Sequence, residues 1–290
     1  MKLGMLVGLL MSSLMFADST IAEDRFAGVE IKTQKLTENI YMLVGAGGNI
    51  GISSGADGVL MIDDQYRPLA GKIKAALASI IKDAPTFLLN THYHGDHTGG
   101  NIEFGNDSII MAHENVRVRL INGDTNGETP DHALPMITYT NRASLHFNDE
   151  EVTLIHTGAS HTDGDTMVHF KSSNVIHMGD NFFNKRFPYV DLDAGGSVEG
   201  LKFSIEKVLS LADKNTQIIP GHGELATPAD LELKLEMINA TGSSVKTAIA
   251  DGQTLEQIIA AGVEPKWKDW TWGLINEERW LTTLYNEYAK

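Results

Sequence analysis

Residues 90–100 read Asn-Thr-His-Tyr-His-Gly-Asp-His-Thr-Gly-Gly and follow directly on the apolar run Phe87-Leu-Leu. Three histidines and one aspartate, His92, His94, Asp96 and His97, therefore stand within six positions at the end of a short strand. On a chain leaving a strand, alternate side chains share a side, so His92 and His94 point together while the following turn swings Asp96 and His97 round to face them. Packing explains such a cluster poorly, because polar side chains buried without partners cost free energy. Imidazole and carboxylate donors suit zinc first, with iron and manganese as alternatives. A pair of cations roughly 3.5–4 Å apart needs more protein ligands than these four, so the fold must bring further donors to the same place.

Composition bounds the rest. A chain of 290 residues with 42% hydrophobic and 21% charged residues has the make-up of a soluble globular protein. The net charge of −15 argues against nucleic acid, whose binding rests on a basic surface, and against anionic membranes. A small-molecule substrate is the partner this leaves. Lys2 followed by the apolar stretch 3–16 reads as a cleavable signal peptide over residues 1–22, too short to span a bilayer, with Ala22 as the cleavage position. The mature chain, 23–290, is then a single domain acting in the periplasm or outside the cell. It holds no cysteine, so its stability must come from the core and from bound metal.

From residue 29 the chain reads as a β-meander with strands at 29–36, 40–44, 49–53 and 59–63. Two catalytic look-alikes lie inside it. Gly51-Ile-Ser-Ser-Gly55 matches a serine-nucleophile pattern, but that pattern needs a helix after it and a strand follows. The glycines of 45–51 resemble a dinucleotide loop, yet Ile50 stands at the third glycine position. Both read as turn chemistry. Apolar residues at Leu69, Ile73, Leu77, Ile80 and Ile81 then give one buried helical face, and a strand from Pro85 delivers the histidine cluster at its C-terminal end. A helix begins at 101–104, a strand spans 109–112 and a short helix 114–121. The segment 122–135 lacks apolar period and reads as a loop that could serve as a lid. His132 within it is a candidate substrate contact, with an ordinary exposed histidine as the alternative.

A second half repeats the architecture. Strands at 143–147 and 152–156 lead to Thr157-Gly-Ala-Ser-His-Thr-Asp-Gly-Asp, which presents His161 on a turn of small residues. The apolar strand 175–179 ends in Asp180, and Ile218-Ile-Pro-Gly leads to His222. With the first cluster, these three strand ends resemble the metallo-β-lactamase superfamily of hydrolases over 29–225. The resemblance implies an α/β fold, a four-layer αβ/βα sandwich with two mixed sheets. It also implies one metal held by His92, His94 and His161, a second by Asp96, His97 and His222, and Asp180 as the bridge. A bridging aspartate is similar to the hydroxyacylglutathione hydrolases and lactonases of the superfamily and differs from its β-lactamases. The implied cofactors are two divalent ions, zinc first. Two cations lower the pKa of a shared water from 15.7 toward neutrality, and the hydroxide so formed attacks a carbonyl. Asp96 would orient that attack and pass a proton to the leaving group.

Beyond Asp180 the chain is aromatic and basic, and reads as a pocket wall. Lys185 or Arg186 could pair with a substrate carboxylate, with a solvated surface charge as the alternative. A lactonase resemblance calls for tyrosine where Phe183 stands, which weakens a homoserine-lactone assignment. Amphipathic helices at 197–212 and 228–250 should cover a sheet, the latter with Thr227 as N-cap and Pro228 at the first position. Trp267, Trp270, Trp272 and Trp280 form a packed helical C-terminal cap or a homo-oligomer contact. The expected activity is hydrolysis of a small lactone, β-lactam or thioester. Competing readings are a mononuclear iron sulfur dioxygenase, a phosphodiesterase, and a metal-binding protein without catalysis.

Overall fold

The structure, a computed structural model, describes residues 25–124 and 127–289, and the signal-peptide assignment lies outside them. The first half contributes strands β1 (Lys32–Lys35), β2 (Ile40–Val44), β3 (Ile50–Gly55) and β4 (Gly58–Ile62), and helix α1 (Ala70–Ala78). Strand β5 (Phe87–Leu89), the short helices α2 (Gly95–Thr98) and α3 (Asn101–Phe104), β6 (Ile109–His113), α4 (Glu114–Asn122) and β7 (Ile137–Tyr139) follow. The second half comprises β8 (Arg142–Phe147), β9 (Glu150–Ile155), β10 (Met167–Phe170), β11 (Val175–His177), α5 (Val198–Leu211) and β12 (Gln217–Ile219). Helices α6 (Pro228–Ala250), α7 (Leu255–Ala261) and α8 (Glu277–Tyr288) close the chain.

Strands β1 to β7 form one sheet in sequence order, antiparallel as far as β4 and parallel beyond it. Strands β12-β11-β10-β9-β8 form the other, with only β11 and β12 parallel. Period-two alternation decides which residues face which layer. Ile40, Met42, Leu60 and Ile62 join Val152, Leu154, Val168 and Phe170 between the sheets. Their neighbours Leu43, Val59 and Met61 turn outward and pack on Leu69, Ile73 and Leu77 of the α1 region. On the far side Ile176 and Ile218 pack on Leu201, Ile205 and Val208 of α5 and on Leu231 and Ile238 of α6. The result is the expected four-layer αβ/βα sandwich.

Several elements depart from the sequence pattern. The first strand shortens to four residues, all exposed, because Lys32, Gln34 and Lys35 have nothing to bury; charged edges of this kind also discourage strand addition. Strands β7 and β10 are additional to the expected set. The loop 122–135 contains a helical turn, Asp131–Ala133. Thr227 opens α6 as expected, with its N–H and hydroxyl both donating to Asp230 Oδ2 at 3.0 and 2.9 Å. Among the described residues no helix is long and apolar enough to cross a membrane.

Candidate metal centre

Four chain segments meet at one edge of the sandwich. Strand β5 ends at Leu89 and the chain turns through His92 and His94 into α2, whose first turn carries Asp96 and His97. The turn between β9 and β10 carries His161, the helical turn after β11 carries Asp180, and the turn after β12 carries His222. Donor atoms of His92, His94, His161 and Asp180 fall within 4.8 Å of one another, as do those of Asp96, His97 and His222. Asp180 spans the two groups. Its Oδ1 lies 3.1 Å from His97 Nε2 and 3.4 Å from His222 Nε2, while Oδ2 lies 3.5 Å from His161 Nε2 and 3.8 Å from His92 Nε2. Asp96 Oδ2 stands 3.3 Å from His222 Nε2.

Three of the imidazoles are aimed by a partner on the far side, which fixes the nitrogen left facing the centre. His97 Nδ1 donates to Asp63 Oδ2 at 2.8 Å, and His94 Nε2 to Asp191 Oδ2 at 3.0 Å. His161 Nδ1 donates to the Tyr189 carbonyl at 2.7 Å. Asp63 is itself held by the N–H and hydroxyl of Thr91, both at 2.7 Å. Asp191 also accepts from the Tyr93 hydroxyl at 2.9 Å. The inward nitrogens of His94 and His161 consequently approach to 2.9 Å as two lone pairs. A tetrahedral cation with Zn–N bonds of about 2.0–2.1 Å holds its nitrogens only about 3.3 Å apart, so this crowding suits a shared ion.

Buried donors left without partners make the same point. His92 Nε2, His97 Nε2 and Asp180 Oδ1 are buried, and although the last two face one another at 3.1 Å, none of the three makes a well-aligned hydrogen bond, an arrangement that costs free energy unless a ligand completes it. Electrostatics are consistent. Burial pushes the His161 imidazole down to about 4 and holds His92 well below its ordinary value, so both present neutral, ligating nitrogens. Burial disfavours a charged His97 as well, yet the Asp180, Asp96 and Asp63 carboxylates outweigh it and raise His97 well above its ordinary value. Likewise His222 rises to about 9 against its burial, drawn by Asp180 and Asp96. This half of the site demands positive charge. Glycine provides the room: a Cβ on Gly221 would lie 1.9 Å from Asp180 Oδ1, and one on Gly48 2.1 Å from the His97 ring. Gly48 belongs to the segment that looks like a nucleotide loop in sequence; its place is over a metal-site histidine.

The other sequence candidates are distributed differently. Phe183 is fully buried and stacks on the His222 ring with centroids 5.3 Å apart, so it backs a ligand instead of touching substrate. Lys185 points away, two-thirds exposed and 3.7 Å from Asp230. Arg186 lies over the Trp272 ring at 5.1 Å. His132 bonds the Ile102 carbonyl at 3.2 Å and lines a separate surface cavity with Arg117 and Met136. Trp267, Trp270 and Trp280 are core residues, but Trp272 is half-buried and packs 5.6 Å from His222. Ser53 sits inside the sheet and accepts from Asn148 at 3.2 Å, with β4 and no helix beyond it. The aiming residues Asp63, Tyr189 and Asp191 were not candidates by sequence; the faint signal for Asp63 was a pair of carboxylates ending an apolar strand.

Fold and site together place two histidine- and aspartate-lined clusters, compatible with a dinuclear metal site, at one edge of an αβ/βα sandwich. Residues 38–222 match the metallo-beta-lactamase superfamily, and the chain belongs to that superfamily. A probable hydroxyacylglutathione hydrolase of Schizosaccharomyces pombe is 29% identical over 141 residues, 47% of each chain. The chain thus spans about half the length of that curated relative. Among solved structures, an inverting sec-alkylsulfatase from Pseudomonas sp. superposes with TM-score 0.73 at 14% identity, over 89% of this chain and 50% of that one. A metallo-beta-lactamase from Pontibacter korlensis gives TM-score 0.63 at 14% identity, over 72% of this chain and 99% of that one. At these identities the structural likenesses speak to the fold alone.

Proposed function

We propose that the protein hydrolyses a small carbonyl compound, a lactone, β-lactam or thioester, at a site built for two divalent ions, with zinc as the first choice. The observation that carries this reading is Asp180, one carboxylate oxygen facing His97 and His222 and the other facing His92 and His161. His92, His94 and His161 would hold one ion, Asp96, His97 and His222 the other, and Asp180 both. When bound, such a pair supplies Lewis acidity and a water acidified toward neutrality. The chain's own residues do the rest. Asp96 is the most exposed ligand aspartate, at 21%, and directs one oxygen at His222. Burial would raise its pKa, but His97 and His222 lower it, so the carboxylate stays ionised and its second oxygen can accept a proton and return it to a leaving group. Tyr189, half-buried against His94 and His161, narrows the approach and excludes solvent from one side.

The hydroxyacylglutathione hydrolase relative supports a thioester among the three substrate types. A panel of lactones, β-lactams and thioesters, assayed with and without chelator, tests the reading. It predicts turnover of at least one class, abolished by chelator and restored by zinc; no turnover of any carbonyl substrate would refute it. The apolar segment 3–16 supports export, and N-terminal sequencing of the mature protein should begin at Glu23. An intact Met1 on protein recovered from cells would overturn that assignment.

A further inference from the structure

Helix α4 carries no candidate metal ligand, yet it grips the half of the centre formed by His92, His94 and His161. Asn115 and Arg119, one turn apart on α4, share a face, and both hold Asp163, two residues beyond His161. Asn115 Nδ2 donates to the Asp163 carbonyl at 2.8 Å, and Arg119 Nε and Nη2 donate to its two carboxylate oxygens, both at 2.8 Å. The same guanidinium lies 5.0 Å over the ring of Tyr93, the residue between His92 and His94. Tyr93 in turn donates its hydroxyl to Asp191 Oδ2 at 2.9 Å, the oxygen that also receives His94 Nε2 at 3.0 Å. Asp191 Oδ1 accepts from the Ala194 N–H, and the Ala194 carbonyl accepts from the Asp163 N–H, each at 3.1 Å. The contacts close a circuit that runs from Arg119 through Tyr93, Asp191, Ala194 and Asp163 back to Arg119.

The circuit is one-sided. Among the described residues no hydrogen bond or ion pair joins Arg119, Tyr93 or Asp163 to Asp96, His97 or His222. His97 depends instead on Asp63, which burial and Thr91 hold in place. Asp191 lacks that enclosure: its side chain is 12% exposed and that of His94 18%, against none for Asp63 and His97. A carboxylate that water can reach keeps its aim only where further donors hold it. The two parallel bonds from Arg119 to Asp163 fix direction as well as adding energy, which a lysine in its place would not do.

We infer that Arg119 is a positioning residue for one ion of the pair: through Tyr93 and Asp163 it holds His94 and His161 in ligating register, while the ion at Asp96, His97 and His222 does not depend on it. This rests on the two-ion reading of the centre and makes the two positions unequal.

The test uses the whole chain, stripped of metal and titrated with zinc against a chromophoric chelator. Arg119→Gln should weaken one equivalent about tenfold and leave the other unchanged, the lower end of the roughly 10–100-fold range for direct partners of ligands because Arg119 acts one contact further out. Tyr93→Phe, which removes only the hydroxyl on Asp191, should give the same one-sided loss and carries the test if Arg119→Gln does not fold. Arg119→Lys, which keeps the charge without the fork, should not restore the affinity. Proton NMR of the zinc-loaded proteins with isotope-labelled histidine identifies the ion: the His94 Nε2–H signal should fade by exchange with water in the variants while the His97 Nδ1–H signal persists. Equal weakening of both equivalents and both signals would mark a general loss of stability and overturn the inference, as would two unchanged equivalents with an unchanged His94 signal. Should the wild type hold a single equivalent, the two-ion reading fails, and the His94 signal decides for the clamp by itself: its loss in the variants upholds Arg119 as a positioning residue and its persistence overturns it.

Discussion

Replacing Asp63 by Asn tests how the second half of the metal centre is aimed, and the structure fixes the size of the effect. The Asp63 carboxylate is wholly buried and accepts three hydrogen bonds, from Thr91 N–H to Oδ1 and from the Thr91 hydroxyl and His97 Nδ1 to Oδ2. Asparagine has one accepting oxygen for these places. If that oxygen faces His97, the amide NH2 meets the Thr91 N–H and a buried donor loses its partner, at a cost of about 1–3 kcal/mol in folding. If it faces Thr91, His97 Nδ1 must accept, and the imidazole proton moves to Nε2, the atom that points at Asp180. Its lone pair is then lost to the metal, with a fall in zinc affinity on the order of 10–100-fold, or about 1.4–2.7 kcal/mol. Backbone strain does not complicate the experiment, because asparagine tolerates the left-handed φ of 61° found here. Zinc affinity by competition with a chromophoric chelator, together with thermal unfolding of the metal-free protein, should show one loss or the other. Wild-type values in both assays would refute the account of how His97 is oriented.

Two further substitutions probe the frame behind the site. Lys234 is fully buried, has no carboxylate partner among the described residues and donates to the carbonyls of Phe183, at 3.1 Å, and Arg186; Lys234→Met should lower stability by leaving both unpaired, each worth about 1–3 kcal/mol. Burial holds the Lys234 ammonium well below its ordinary 10.5, so the unfolded chain binds the extra proton and the residue's contribution is complete only above about pH 10.5. Chemical denaturation should therefore show the wild-type advantage growing as pH rises from 7 toward 10, and a gap that narrows instead would contradict the assignment. Trp280→Ala removes a fully buried ring whose Nε1 donates to Thr241 at 3.1 Å, and should cost about 3–5 kcal/mol by urea unfolding; a loss under about 1 kcal/mol would mean that the C-terminal cap is not part of the cooperative core.

What the sequence made legible were features in which local pattern and chemistry coincide. Apolar strands at 87–89, 175–177 and 217–219, each followed by a candidate metal-binding side chain, can be read directly, because strand ends and tight turns leave those side chains few directions to point. Less was legible where the decisive contact is long-range. Asp63 acts through His97, 34 positions away, and Asp191 through His94, 97 positions away, and neither separation leaves a periodicity. Phe183 and Lys185 illustrate the opposite error: both follow the bridging aspartate, but the backbone reverses at Lys185, whose φ is 52°. That turn buries Phe183 behind His222 and sends Lys185 to solvent. Trp272 reads as core in sequence because its three companions are core; only the fold places it beside His222.

The central claim is that Asp180 is shared between two ions, and counting bound zinc addresses it most directly. Elemental analysis after exhaustive dialysis against zinc-buffered solution should give about two equivalents per wild-type chain, and Asp180→Ala should fall below one because both positions weaken together. One equivalent in the wild type, or two retained by the variant, would contradict the shared carboxylate and the hydrolytic centre built on it.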